Sequence, residues 1–205
     1  YSFVDPAFQQ RLDPRRQPLA LANPISADLA VMRTSLWPGL LKAMIYNQKR
    51  QQSRVRLFEH GLNFLPMAEG LRQERFLGGV ATGAVLPEQW GEPVRMLDFF
   101  DLKADVEALL ALTGQPEVFQ FVAVAHPALH PGQSARIERA GEPIGWLGRP
   151  TIGPCAAITV AEQSPIEVCS CKTRRCCATF LPIWPDRSRI RFSSIAQREK
   201  TDLAF

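Results

Sequence analysis

Residues Asn23 to Phe64 read NPISADLAVMRTSLWPGLLKAMIYNQKRQQSRVRLFEHGLNF. The pattern predicts an extended approach, a helix, a basic turn and then a β-strand. Leu36, Leu40 and Met44 recur at helical spacing, and Leu41 and Ile45 widen the apolar stripe. Thr34 or Ser35 can cap the helix by accepting a backbone N–H. Pro38 lies in the first turn, where its missing N–H costs little. The polar, basic segment Asn47 to Arg54 is expensive to bury, so the helix is expected to end there in solvent. Val55 and Leu57 then alternate with Arg54, Arg56 and Phe58, the period-2 pattern of a strand running to Phe64. Gly61 interrupts that strand and is expected to form a bulge or bend.

Away from this stretch, 205 residues are enough for a full core, and one domain with an appendage is expected. No apolar run approaches the roughly 18 residues of a membrane span, and YSFVDPAF has no signal-peptide core. Because the first residue is Tyr1, the chain is read as a fragment whose true start is missing. The net charge of +4 is unevenly placed: residues 1–148 hold 15 Lys/Arg against 15 Asp/Glu, and residues 149–205 hold 9 against 5. The overall basicity therefore carries no weight as a sign of RNA binding. All five cysteines (Cys155, Cys169, Cys171, Cys176 and Cys177) also lie in the tail. A cysteine-free main domain with no signal sequence suits the reducing cytoplasm. The joint change in charge and cysteine places a domain boundary at Gly148.

Along the rest of the chain, Tyr1 to Val4 is expected to end a strand, and the stretch to Gln17 is polar and proline-containing. Leu19 to Leu21 is a short apolar run closed by the turn signal Asn23-Pro24. Pro66 to Arg75 is expected as a loop and Phe76 to Val85, with three glycines, as a buried strand; Pro87 to Pro93 is a further loop. Asp98 to Thr113 predicts a second helix with the stripe Leu102, Val106, Leu110, an aspartate cap and Gly114 at its end. Val118 to Ala125 is strand-like, and HPALHPGQ from His126 to Gln133 is expected as a loop. Ala135 to Glu138 and Pro143 to Leu147 predict a hairpin around Ala140-Gly141-Glu142. This order favours an α+β fold with a largely antiparallel sheet and helices packed on one face.

At NPIS…MRTSLWPGLL…NQKRQQSRVRLFEHG the chain resembles the β subunit of bacterial phenylalanyl-tRNA synthetase. YSFVDP, FDLKADVEALL and HPALHPGQSARI leading into GEPIGWLG agree with it in the same order, over residues 1–148. The resemblance implies the catalytic-like domain of that subunit, a class II aminoacyl-tRNA synthetase-like sheet flanked by helices. It implies an α subunit that carries the aminoacylation site, an (αβ)₂ assembly, and tRNA bound by the whole enzyme. ATP and magnesium would serve the assembled enzyme, with none bound by this fragment. The family's editing and anticodon-binding modules are not expected in these residues.

Class II chemistry needs arginines aimed at phosphate, because charge develops there as pyrophosphate leaves. The class II strand motif places Arg two residues before Glu. Here Leu57 holds that position before Glu59, and Arg56 lies on the opposite strand face. Gly145, Gly148 and Arg149 imitate the late glycine–arginine motif only loosely. The fragment is therefore expected to be non-catalytic, with no catalytic, cofactor or metal residues. Arg33, Leu36, Trp37, Pro38, Leu40, Met44, Glu59, His130 and Gly132 are marked instead as structural or subunit-interface positions.

Other constellations favour plain readings. His126 and His130 have metal-pair spacing, but Pro127 and Pro131 oppose a helix, so local hydrogen bonding is expected. Asp98, Asp101, Asp105 and Glu107 read as caps and a solvated helix face. Lys49, Arg50, Arg54 and Arg56 lack interleaved aromatics and read as a solvated turn or salt-bridged contact. Trp37 and Trp90 read as packing or interface anchors. The tail cysteines match none of the strong zinc spacings. Residues 149–205 are an unassigned Cys-rich basic tail, read as the product of a shifted frame or assembly error and expected to pack poorly; translating the coding DNA in three frames tests this.

Three functions follow for comparison. The first is a β-subunit scaffold with α as partner, tested by co-purification. The second is a stand-alone RNA-binding or regulatory module of synthetase origin, which requires a coherent basic face. The third is a zinc-binding appendage, which requires bound metal.

Overall fold

The computed structural model describes residues 2–68, 70–152 and 155–161. Strand β1 (Phe3–Val4) pairs antiparallel with β2 (Val31–Met32), with helix α1 (Pro6–Leu12) between them in sequence. The stretch expected to be merely polar holds α1 because Asp5 caps it and Pro6 sits at its start: the Asp5 carboxylate accepts from the backbone N–H of Ala7 at 2.8 Å. Met32 N–H donates to the Leu19 carbonyl, so the short run Leu19 to Leu21 lies along β2.

Helix α2 (Trp37–Gln48) leads into β3 (Val55–Met67), which forms a long hairpin with β4 (Gly70–Thr82). The expected loop at Pro66 to Arg75 is therefore replaced by continuous strand: every residue from Val55 to Met67 has a register partner in β4. Turn residues and charges mark solvent exposure in a sequence, and both strands here are exposed at that end without leaving the ladder. After helix α3 (Phe99–Ala111) come β5 (Phe119–Ala123), β6 (Leu129–Arg139), β7 (Glu142–Pro150) and β8 (Ala156–Ala161). The six-stranded sheet has the order β3-β4-β8-β7-β6-β5, and every pairing is antiparallel. The fold is thus α+β with an antiparallel sheet. The expected loop at His126 to Gln133 instead enters β6 at Leu129, and the register shift between Leu129 and Ser134 accommodates Pro131. The β6–β7 hairpin turns through Ala140 and Gly141, both at positive φ, a type I′ geometry.

The helices lie on both faces of the sheet, which corrects the one-face expectation. Leu36, Trp37, Leu40, Leu41 and Met44 of the α2 segment meet Val55, Val80 and Ala157 in one core layer. Leu102, Val106 and Leu110 of α3 meet Ala81, Ala156, Ile158 and Val160 in the other. Alternate residues of β4 and β8 thus feed opposite layers, as the pleat requires. At Gly78, Leu36 and Leu40 come within 3.1 Å of where a Cβ would sit, so the missing side chain lets α2 approach the sheet. Asp98 and Asp101 cap α3 reciprocally.

The expected boundary at Gly148 falls inside β7, and the sheet continues beyond it. The apolar residues of β8 are buried between β4 and β7, so poor packing does not describe Ala156–Ala161. Composition averaged over a cysteine-rich tail concealed a six-residue strand at its start. The cysteines from Cys169 onward and the zinc reading lie outside the described residues.

Ile158 is buried against α3. Ile158→Ala is expected to lower unfolding free energy in urea by about 2–5 kcal/mol; a negligible loss would place β8 outside the core.

Candidate functional site

The pleat of β3 separates its two functional-looking charges. Glu59 faces the α2 side, where its carboxylate pairs with the Arg33 guanidinium. Arg33 is delivered by the chain leaving β2, and its Nε–H donates to the Leu62 carbonyl at 2.9 Å. The Arg33 side chain is 7% exposed and that of Glu59 34%, so the cation is nearly enclosed while its counterion meets solvent. A guanidinium so buried requires its partner, since an unpaired charge there costs several kcal/mol (roughly 3–5). Gly61 lies beneath: a Cβ there would run into the Arg33 guanidinium. Its pairing with Phe76 is regular, so Gly61 is neither bulge nor bend but a place for that side chain.

Arg56 points to the α3 side, as its parity predicts. Its guanidinium lies 3.5 Å from the Asp105 carboxylate and donates to the Val85 carbonyl at 3.1 Å. Burial lowers the Arg56 pKa, and desolvation raises that of Asp105. Arg54 donates to the carbonyls of Ala84 and Val85, and Arg50 stacks 3.6 Å over the Tyr46 ring. Arg95 makes a fork to both Asp101 oxygens, and that hydrogen-bonded pair holds the Asp101 carboxyl below its usual range. Lys103 pairs with Glu107. The acidic group reads as caps and ion pairs. Among the described residues no group of three or more His, Cys, Asp or Glu is placed to hold a metal ion. These arginines are committed to carboxylates, carbonyls or a ring within the chain, and such a donor set does not fit an ATP phosphate.

Leu36, Trp37, Pro38, Leu40 and Met44 are buried in the chain's own core. Leu36 is the N-cap of α2 and makes no side-chain cap hydrogen bond, which corrects the expectation of Thr34 or Ser35 there. Ser35 Oγ accepts from the Trp37 N–H at 3.2 Å, whereas the Thr34 hydroxyl accepts from the Gln9 amide at 2.5 Å. Trp37 Nε1–H donates to the Ile158 carbonyl at 3.0 Å. Trp90 lies fully exposed, outside the core, near Val94 and Met96 in sequence, which are exposed too. A single sequence does not distinguish such a tryptophan from a packed one.

His130 and Gly132 are exposed, and the Gly132 N–H donates to His130 Nδ1 at 3.2 Å. His126 Nδ1 likewise accepts from the Ala128 N–H, so both histidines bond locally. His126 also packs between Trp37, centroids 5.5 Å apart, and Trp146 at 4.7 Å. Burial, reinforced by Arg15 and Arg16, pushes its imidazole down to about 4. Burial pushes the Cys155 thiol up to about 11, leaving it protonated and unreactive.

Residues 1–152 match the family model described as Phenylalanyl tRNA synthetase beta chain CLM domain. The chain is 58% identical over 149 residues to a Phenylalanine--tRNA ligase beta subunit of Nitrosococcus oceani, covering 72% of this chain and 19% of that protein. It is 53% identical over 168 residues to the protein of the same name from Pseudomonas fluorescens, covering 82% of this chain and 21% of that one. A match over 82% of the chain necessarily runs past Gly148. The chain spans about a fifth of the length of these curated relatives.

His126 is neutral in the fold, while in the unfolded chain it titrates near 6.5. Between those values the unfolded state binds the extra proton, so stability falls as pH drops from about 6.5 towards 4. His126→Asn, which keeps an acceptor for the Ala128 N–H, is expected to flatten this dependence in urea titrations at pH 7 and pH 5.

Proposed function

The chain belongs to the phenylalanine–tRNA ligase β-subunit family, and from that premise we propose that it is the catalytic-like but non-catalytic module of such a subunit. In this reading it is a scaffold and subunit-interface element of the enzyme that joins phenylalanine to its tRNA. The observation carrying the proposal is the family match over residues 1–152, nearly the whole described chain.

The fold is a class II synthetase-like sheet from which the chemistry has been withdrawn. Two features support that reading. Leu57 stands where an arginine would precede Glu59, and Glu59 itself is paired to Arg33. Arg56 is turned to the other face and tied to Asp105 and the Val85 carbonyl. ATP and magnesium serve the assembled enzyme, with none bound by this chain. The partner is the α subunit in an (αβ)₂ assembly, tRNA is held by the whole enzyme, and the place of action is the cytoplasm. Among the described residues no helix is long and apolar enough to cross a membrane. Arg33 and Glu59 act in the scaffold, and exposed His130 and Gly132 remain available as interface positions.

The RNA-binding alternative is less favoured, because Arg33, Arg54, Arg56 and Arg95 are engaged within the chain. Co-expression with a tagged α subunit is expected to retain the chain on the affinity resin. The chain alone is expected to support no phenylalanine-dependent exchange of pyrophosphate into ATP. A folded chain, verified by circular dichroism, that fails to co-purify would count against the proposal. RNA binding by the isolated chain that weakens steeply with salt would favour the alternative.

A further inference from the structure

Between β4 and α3 the chain leaves the sheet in one closed loop. It departs at Gly83, at a φ of 91° and at a point where a Cβ would run into the Ser53 carbonyl. The two ends of the loop are tied together. The Val85 N–H donates to the Arg95 carbonyl and the Leu97 N–H to the Gly83 carbonyl, both at 2.9 Å, and Ala84 bridges to Met96. Arg54 and Arg56 fasten the first limb through the Ala84 and Val85 carbonyls. The Arg95 fork to Asp101 fastens the second limb to α3. The neck is thus held from two elements, and the tip it presents is positioned in advance.

That tip is apolar and acidic. Trp90 is fully exposed, and Leu86, Val94 and Met96 are exposed on the same loop. The run VLPEQWGEPVR from Val85 to Arg95 holds one cation, Arg95, which is already committed to Asp98 and Asp101. Glu88 and Glu92 are exposed and give the tip its charge. The loop forms a cavity of about 180 Å³ lined by Leu86, Pro87, Glu88, Glu92, Pro93 and Val94. That is below the roughly 300–1,000 Å³ of a small-molecule site and suits a single side chain. A long cationic side chain satisfies both parts of the lining, its methylenes on the apolar residues and its head at a carboxylate. The two glutamates repel nucleic-acid phosphate and anionic lipid, so the complement is a protein surface.

We propose that the loop from Gly83 to Leu97 is a docking finger for a basic, apolar segment of the α subunit. A lysine or arginine of that segment enters the cavity and an apolar neighbour covers Trp90. The choice of the α subunit rests on the function proposed above. A tryptophan on a rigid neck is the kind of anchor that dominates interface energies, because little freedom is lost when it is buried.

Binding of the full 205-residue chain to immobilised, tagged α subunit, followed by biolayer interferometry at low and high salt, tests this. Trp90→Ala is expected to weaken binding roughly thirty-fold, the size of a hot-spot loss. Glu88→Gln combined with Glu92→Gln is expected to weaken it and to flatten its salt dependence. Ile25→Ala, at an exposed apolar residue elsewhere, should bind as the parent does, and the urea midpoints of all variants should match because these side chains are exposed. A parent chain that folds but does not bind the α subunit overturns the subunit reading and the docking finger together. Parent-like binding by Trp90→Ala, or an unchanged salt dependence in the glutamate variant, overturns the docking finger alone. So does self-association of the chain, or binding to tRNA, that Trp90→Ala abolishes, since each gives the tip a different occupant.

Discussion

The close seating of α2 on β4 is the contact on which most of the structure depends. Gly78 removes a side chain where Leu36 and Leu40 arrive, and the helix can come down onto the strand pair β4–β8. Burying those leucines with Leu41 and Met44 contributes about 1.5–3 kcal/mol per side chain. Trp37 then ties the helix to a strand 121 residues away through its indole N–H and the Ile158 carbonyl. That bond and the pairing on either side put β8 in the middle of the sheet, so the last described strand completes both core layers.

Charge in this molecule is used inwardly. The pleat of β3 sends Glu59 and Arg56 to opposite faces, and each is answered by an opposite charge from another element: Arg33 from the β2 side and Asp105 from α3. In a catalytic strand an arginine would have to point at a transferring phosphate, free of internal partners. Here Arg33 and Arg56 each have partners within the chain.

Part of this was legible in the residues themselves. The α2 and α3 stripes, the aspartate cap at Asp98, the Ala140-Gly141 turn and the face-by-face alternation of β3 follow from local periodicity and turn chemistry. The family match rests on the same local order. Other features were misread for identifiable reasons. Asp5-Pro6 is a helix start that looks like loop composition, and the hairpin from Pro66 to Arg75 is strand whose side chains happen to be wet. The boundary at Gly148 followed average composition, which cannot resolve a strand as short as Ala156–Ala161.

By itself, then, the sequence determined the helices α2 and α3, the β6–β7 hairpin, the α+β class, the family and the separation of Arg56 from Glu59. These depend on spacing along one chain. Only the tertiary structure decided that helices cover both faces, that β8 is central, and that Gly61 seats a guanidinium and does not bend a strand. It also placed Trp37 inside and Trp90 outside. Each of these is a meeting of residues far apart in the chain. Which partner a buried side chain finds depends on packing and desolvation across elements, and no periodicity within one element records it.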